Sequence, residues 1–196
     1  MTSENTPHHH GNLRPALIQA GIDILETEGT KGLSLRKIAT RVGVTHAAPA
    51  HHFKGKAALL VAIAAKGFQV FADLMEKNRD AAPKDPQNQL LGLCQGYLQF
   101  AAENEALFEL IFSTDIKPHA NVDEDFRKSA NRAFRLLEDT CALFEPSPKH
   151  SQGHEIMIWS LVHGYASLRA YNKLISPEDG AAMPFELILP QLTPKK

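Results

Sequence analysis

Apolar residues recur along this chain every three or four positions, which is the spacing of an amphipathic helix rather than of a strand. In the first third of the chain, residues that commonly cap helices or begin them precede the apolar segments. Asn12, Ser34 and Thr45 are candidate caps, and the pair Gly55-Lys56 opens the fourth segment. The pattern therefore predicts four helices here, over residues 12–29, 34–43, 45–51 and from 59 towards 75.

The rest of the chain continues with the same periodicity, interrupted by loops rich in proline, glycine and charge. These breaks fall at residues 81–87, 116–125 and 145–153. We find no convincing strand alternation, no hairpin dipeptide and no internal repeat in the sequence. We therefore predict an all-α protein whose further helices cover residues 90–100, 107–112, 126–144 and 155–174, with a short helix near 185–189.

Composition and cysteine usage predict a globular protein of the cytoplasm. A chain of 196 residues that is 43% hydrophobic can bury one core, or one core and a small satellite domain. No apolar run approaches the roughly 18 to 20 residues of a membrane span, and the N-terminus lacks a signal-peptide core. Cys94 and Cys141 lie inside apolar helical patterns, which suits a reducing compartment.

The charge of the chain is distributed unevenly, although its net charge is only −1. As far as Lys56 the sequence holds seven lysines and arginines against four acids, whereas the remainder holds 14 against 18. A basic first third joined to an acidic remainder is typical of a phosphate-binding head on a body that does not bind nucleic acid.

The stretch SLRKIATRVGVTHAAPAHHFKGK, residues 34–56, has the dimensions of a helix-turn-helix unit. A capped helix is followed by a turn at Gly43 and by a second helix too short to form a core. The exposed side of that second helix would enter the major groove. Small Ala47 and Ala48 would let the backbone approach base edges, and His46 or His51 could offer a ring nitrogen to a base or a phosphate.

The longer segment LSLRKIATRVGVTHAAPAHHFKGKAALL resembles the DNA-binding signature of the TetR family of regulators. The resemblance implies that Thr45 contacts phosphate, that residues 46–48 read bases, that His52-Phe53 packs or touches the backbone, and that Lys56 clamps phosphate. Pro49-Ala50 stands where the family usually has Leu-Tyr, so a tyrosine contact is missing and His51 could replace it. The DNA-binding candidates are Arg36, Lys37, Thr45, His46, Ala47, Ala48, His51, His52 and Lys56.

A second segment, IWSLVHGYASL, resembles the WHG-type C-terminal domain of some TetR regulators through Trp159, His163 and Gly164. Together the two resemblances imply an N-terminal helix-turn-helix domain of three helices and a C-terminal helical bundle for ligand binding and dimerisation. The predicted organisation is a flexible arm over residues 1–11, a DNA-binding domain over 12–58 and the bundle over 59–196.

Aromatic residues of the second half are candidates for an effector-binding cavity, and plain bundle core is the alternative for each of them. Such a lining favours a small apolar or aromatic effector over a sugar or a nucleotide. His163 is the best single anchor, because neutral imidazole can form one hydrogen bond without a buried charge; alternatively it bonds a backbone carbonyl. The candidates are Tyr97, Phe100, Phe108, Phe112, Trp159 and His163.

The two last long helices carry more apolar surface than a short chain can bury by itself, which predicts a homodimer. The sequence thus predicts a ligand-responsive regulator, most simply a repressor released from a palindromic operator, with no cofactor. His150 and His154 lack a third metal ligand, and no motif supports the alternatives of a small hydrolase or a protein-interaction adaptor. The predicted dimer contacts include Phe134, Leu137, Ile158, Leu161, Val162 and Leu168.

Overall fold

A computed structural model describes residues 13–113, 116, 123–170 and 183–196. Throughout these ranges the chain is helical apart from its loops, and strand pairing is limited to one isolated bridge between Phe144 and Pro194. Two short 3-10 helices occupy Ala48–His51 and Phe185–Leu187. The predicted all-α class is confirmed. The α-helices are α1 (Leu13–Gly32), α2 (Leu35–Val42), α3 (Lys56–Ala81), α4 (Pro86–Glu103), α5 (Glu105–Phe112), α6 (Glu124–Cys141) and α7 (Gly153–Ala170).

Local capping signals set the ends of the first helices much as the sequence predicts. The Ser34 side chain accepts a hydrogen bond from the Lys37 backbone N–H, and Gly43 ends α2 in the left-handed conformation with φ of 76°. Helix α1 continues to Gly32, although Gly29 interrupts its helical backbone with φ of 66°. The predicted N-terminal arm and the predicted cap Asn12 lie outside the described residues.

Helices α1, α2 and α3 enclose the N-terminal end of one continuous hydrophobic core. Leu17, Ile38 and Leu59 are buried in it. Gly21 lets α1 come close to α3, since a Cβ atom there would lie 2.6 Å from Cδ1 of Ile63. The close approach fixes the base on which the second helix of the helix-turn-helix is presented.

Helix α3 is the central element, because it packs against α1, α4, α5 and α6. Contrary to the sequence prediction, it is long and apolar enough to cross a membrane by length and composition. However, 61% of its apolar window is buried inside the protein. Its apolar composition is therefore explained by burial, since side chains such as Phe71 and Met75 lie in the core between the two halves of the chain.

Two glycines of α4 allow that helix to lie directly against the backbone of α3. A Cβ atom at Gly92 would lie 2.6 Å from the carbonyl oxygen of Asn78. At Gly96 it would lie 2.4 Å from the carbonyl oxygen of Leu74. Both distances are far below van der Waals contact, so the α3–α4 packing requires residues without a side chain at these two positions.

In the second half, capping residues outside the apolar pattern start α4 and α6 earlier than predicted, whereas α6 ends at Cys141 and not at residue 144. Asp85 accepts a hydrogen bond from the Asn88 backbone N–H, and Pro86 begins α4 in the position where proline is tolerated. Asp123 likewise caps α6 by accepting from the Phe126 backbone N–H. The predicted end of the last long helix, at 174, lies outside the described residues.

Three of the residues predicted to contact a dimer partner are instead buried in the core of their own chain. These are Leu137, Ile158 and Val162. Helix periodicity shows which face is apolar, but half of this apolar surface meets the chain's own α3 and α4. Exposed Met157 and Leu168 share one face of α7 with half-buried Leu161, and we call this face the α7 strip.

Candidate DNA-binding and effector-binding sites

The recognition segment is a turn followed by a 3-10 helix, rather than the short helix capped by Thr45 that the sequence predicts. Residues 46 and 47 form the turn, and Ala48–His51 has no side-chain cap. The Thr45 backbone carbonyl, not its side chain, accepts a hydrogen bond from Ala48 at 3.0 Å. Pro49 is the physical reason, because in an α-helix capped by Thr45 the N–H of residue 49 would make the first intrahelical bond, to the Thr45 carbonyl. Proline has no N–H, and its ring would clash with that carbonyl.

The side chains of this segment are available to a partner. Every DNA-binding candidate is exposed except Ala48, which is half-buried. Of the His52-Phe53 pair, Phe53 is buried in the core while His52 faces solvent. A contact of 3.4 Å between His46 Nε2 and Thr40 Oγ1 connects the turn to α2. The segment is thus anchored by Phe53 and presents polar groups outward.

Two of the predicted DNA-binding lysines contact α1 in this structure. Lys37 forms an ion pair with the Glu28 carboxylate, and Lys56 Nζ donates to the carbonyl oxygen of Thr30 at 2.6 Å. Both lysines are exposed, and exposed pairs of this kind contribute little to stability. A phosphate group could therefore replace the partners on α1.

Arg36 and Lys54 form no ion pair with any residue that the structure describes. Sequence reasoning counted Lys54 in the basic charge but did not name it as a contact. Its place in the sequence could have indicated a contact, because Lys54 lies between Gly55 and Phe53, the buried residue that anchors the recognition segment. Arg36 and Lys54 are thus the cations whose charge is fully available on this surface.

A cavity of about 760 Å³ lies between α4, α5 and α7, and we call it the α4–α5–α7 cavity. Three of the six effector candidates line it: Phe108, Phe112 and His163. Leu98 and Ala166 add apolar wall, and charged side chains of α5 and α7 stand on its exposed rim. Two serines complete the lining, so a small organic molecule bound here would meet both aromatic rings and polar groups.

The other three candidates do not line this cavity. Phe100 is completely buried, with its ring centroid 5.1 Å from that of Phe71 on α3. Tyr97 and Trp159 border a separate apolar space of only about 20 Å³. Helix α4 turns Tyr97 and Phe100 towards α3, which for these two residues favours the alternative of plain bundle core.

His163 lies between the core and the cavity. Its Nδ1 is 2.7 Å from the hydroxyl oxygen of Tyr97, so its partner is a side chain and not the backbone carbonyl considered from sequence. Its ring packs against Phe108 and Phe112, at centroid distances of 5.5 and 4.9 Å. Burial lowers the pKa of His163 and raises that of Tyr97, which favours a neutral imidazole beside a protonated hydroxyl.

The remaining candidate chemistry of the chain is local and structural. Burial raises the pKa of Cys141 to about 12 and also raises the pKa of Cys94, so both buried thiols stay protonated. His154 Nε2 contacts the carbonyl oxygen of Glu145 at 2.9 Å near the start of α7. Within the described ranges no group of three metal-ligating side chains occurs.

Comparison with known protein families accounts for nearly the whole architecture. A model described as "Bacterial regulatory proteins, tetR family" matches residues 17–63, which include the helix-turn-helix. A model described as "Tetracyclin repressor-like, C-terminal domain" matches residues 90–192, more than half of the chain. The chain belongs to the TetR family. It is therefore a transcription regulator with a DNA-binding helix-turn-helix domain, in a family where ligand binding and dimerisation are typical and members are generally not enzymes.

Solved structures support the same assignment. A protein of unknown function from Rhodococcus sp. RHA1 has a TM-score of 0.75 and 29% sequence identity, covering 93% of this chain and 92% of that one. A TetR family transcription regulator from Marinobacter aquaeolei VT8 gives 0.58 and 14%, covering 85% and 87%. The fatty acid degradation regulator FadR from Bacillus halodurans gives 0.64 and 15%, covering 84% and 87%. The last two show likeness of fold alone. A search of curated protein sequences finds no match.

Proposed function

We propose that this TetR family member is a cytoplasmic homodimeric repressor that a small, mostly apolar effector releases from a palindromic operator. The observation that carries the proposal is the presence, in one chain, of an exposed helix-turn-helix and a separate apolar cavity 760 Å³ in volume. The first supplies DNA contacts, and the second supplies a place where a ligand can change the geometry of the chain. We further propose the domain limits 12–58 and 59–196.

At the operator, each protomer would place its recognition segment in one major groove. Two such segments related by a two-fold axis meet half-sites about one helical turn apart, roughly 34 to 36 Å. Residues 46–48 would face base edges, while Arg36, Lys37, Thr45 and Lys56 would bind phosphates, with His51 and His52 beside them. Lys54 joins this set because it is exposed and has no ion-pair partner in the described ranges.

The effector would act through α5. This helix carries Phe108 and Phe112 into the cavity, and it also packs against α1 and α3. A second link joins the halves, because Arg14 of α1 lies 3.9 Å from the Asp125 carboxylate on α6 and 5.5 Å from the centroid of the Phe53 ring. A shift of α5 or α6 on ligand binding would therefore reach the base of the recognition segment and change the separation of the two segments in a dimer.

The energetic requirement on such a ligand is modest. Allosteric coupling between two sites is typically about 1 to 3 kcal/mol, which corresponds to roughly 5- to 150-fold in DNA affinity. The effector must bind the released conformation better than the operator-bound one by this amount, since equal affinity for both conformations shifts nothing. A shift of one short helix, α5, at the cavity wall could supply a difference in affinity of this size.

Selection of bound fragments from a genomic library of the source organism tests this function. The full-length protein should enrich a small set of fragments that share an inverted repeat with half-site centres about one helical turn apart. The location of those fragments would also identify the regulated genes. Enrichment of random fragments, or of none, would count against an operator-binding regulator.

Replacing Lys56 with alanine should weaken binding to every duplex about equally and flatten the salt dependence by about one unit in the slope of log K against log salt. The reason is the loss of one phosphate contact, which carries no sequence information. His46→Ala should instead change the sequence preference, because residue 46 would face base edges. Fluorescence anisotropy at several salt concentrations measures both effects.

The matched control for this prediction is Lys77→Ala, which removes an exposed lysine from α3 far along the chain from the recognition segment. It should leave the salt slope unchanged. If Lys56→Ala also leaves the slope unchanged, Lys56 does not contact phosphate and its bond to Thr30 is only structural.

A further inference from the structure

Two polar side chains connect the core to the wall of the α4–α5–α7 cavity. The Tyr97 hydroxyl oxygen lies 2.7 Å from Nδ1 of His163. His163 lines the cavity, whereas Tyr97 does not. The contact therefore joins a buried aromatic residue to the imidazole in the cavity wall.

The direction of this hydrogen bond follows from the acceptors within reach. Burial keeps Tyr97 protonated, and among the described residues His163 Nδ1, at 2.7 Å, is the partner of its hydroxyl. A buried hydroxyl proton without an acceptor is costly, which favours donation from Tyr97 to Nδ1. In that arrangement neutral His163 carries its proton on Nε2.

The Nε2 edge of the ring is the part that remains for the cavity. Nδ1 faces Tyr97, which is outside the cavity lining, while the ring stacks on Phe108 and meets Phe112 edge-to-face. Among the described residues no hydrogen bond to Nε2 is formed. The nearby Ser167 hydroxyl donates to the His163 backbone carbonyl at 2.9 Å. Nε2 is thus the ring nitrogen that can donate to a ligand in the cavity.

Charges on the rim decide between a neutral and an anionic partner for that donor. Glu105 and Glu109 stand one turn apart on α5, and Arg169 stands on α7. All three are exposed, and none forms an ion pair with a described residue. These three side chains carry a net charge of −1, which disfavours a carboxylate, and both acids are exposed, so solvent screens their attraction for an amine.

We propose that the effector is an uncharged, largely apolar compound with a carbonyl-type oxygen, such as a ketone, ester or lactone, that accepts a hydrogen bond from His163 Nε2–H. Tyr97 is a positioning residue, because its hydroxyl sets the tautomer of His163 without touching the ligand. The inference rests on the proposed function in one respect only, that this cavity is the effector site. It adds the chemical class of the effector.

The tautomer is tested first, in the full-length protein without DNA or ligand. Long-range ¹H–¹⁵N spectra of protein labelled at histidine report which ring nitrogen carries the proton. We expect His163 to be protonated on Nε2 in the wild type, and to lose that strict preference in Tyr97→Phe, which keeps the ring but removes the hydroxyl. Protonation on Nδ1 in the wild type overturns the proposal.

The ligand class is tested with a matched pair of compounds, benzophenone and diphenylmethane, which differ by a carbonyl in place of a methylene. Titrations followed by NMR shifts of cavity residues should give about 3- to 10-fold tighter binding of benzophenone, the contribution of one hydrogen bond. The difference should disappear in His163→Ala and shrink in Tyr97→Phe. Diphenylacetate, which carries a carboxylate, should bind more weakly than benzophenone.

Each other result contradicts the proposal. Equal binding of the two neutral compounds by the wild type would show that no hydrogen bond to the carbonyl forms. Tighter binding of diphenylacetate would show that the site prefers an anion. If neither neutral compound binds, the cavity is not a site for this class of ligand. Because these measurements contain no DNA, they are separate from operator binding. A protein that selects an operator but fails here retains the proposed regulator function and loses only this effector class.

Discussion

Replacing Gly96 with alanine is expected to lower the free energy of unfolding by about 3 kcal/mol, near the upper end of overpacking effects. The added Cβ atom would lie 2.4 Å from the Leu74 carbonyl oxygen and 2.6 Å from Met75 Cα, and neither backbone atom can move without separating α3 from α4. Alanine is a better helix former than glycine by about 1 kcal/mol, so the packing cost must exceed this gain. Chemical denaturation followed by circular dichroism gives the difference directly.

Gly67→Ala is the matched control, since Gly67 is also buried and inside a helix. There the nearest atom is the Cγ2 methyl of Ile111 at 2.9 Å, which belongs to a side chain that can rotate. We therefore expect a smaller loss than at Gly96, or none after the gain in helix propensity. Equal effects at the two positions would contradict the direct backbone contact between α3 and α4.

A charge on the α7 strip is expected to dissociate the dimer and to lower operator affinity by at least about 100-fold. Leu168→Glu is the cleanest change, because 47% of Leu168 is exposed in the single chain and the fold does not depend on it. Leu161→Glu, at the centre of the strip, should act in the same direction. At a two-fold interface each substitution places two unpaired carboxylates, and a separated protomer contacts only one half-site.

Light scattering at micromolar concentration measures the dissociation, and anisotropy with the selected operator measures the affinity. Ala81→Glu, at the exposed end of α3, is the control and should leave both unchanged. A dimer that persists in Leu168→Glu with unaltered operator affinity would place the interface elsewhere. A stable wild-type monomer would remove the basis for a palindromic operator.

The parts of the fold that sequence predicted are those governed by short-range rules. The Ser34 cap and the left-handed Gly43 depend on atoms a few residues apart, so α2 and the turn after it could be read from the sequence. The same local logic predicted that Gly55 precedes a long helix. It failed at Thr45, where Pro49 replaces an α-helical start by a turn and a 3-10 helix.

The sequence could not predict which surface an apolar helix face packs against when several surfaces are possible. The pattern identified Leu137 and Ile158 as apolar, but not that they face their own chain instead of a second protomer. It identified six aromatic or imidazole candidates, but not that α4 turns Phe100 towards α3. The contact between Tyr97 and His163 joins residues 66 positions apart and has no signature in the sequence.

The ion pairs of the DNA-binding surface illustrate a second limit. The sequence places Lys37 and Lys56 in the family motif, and the motif implies phosphate contacts. It does not reveal that α1 supplies Glu28 and the Thr30 carbonyl as partners for them. These contacts form because α1 packs against α2, which carries Lys37, and against α3, which begins at Lys56. They determine which lysines already have partners before DNA binds.

The most direct measurement of the central claim compares the affinity of the full-length protein for its selected genomic duplex with that for a scrambled duplex, over a range of salt concentrations. For an operator-binding regulator we expect a preference of at least about 1,000-fold for the selected duplex. We also expect log K to decrease with log salt, with a slope that reflects several phosphate contacts. Equal affinity for both duplexes, or binding that does not change with salt, would contradict this function.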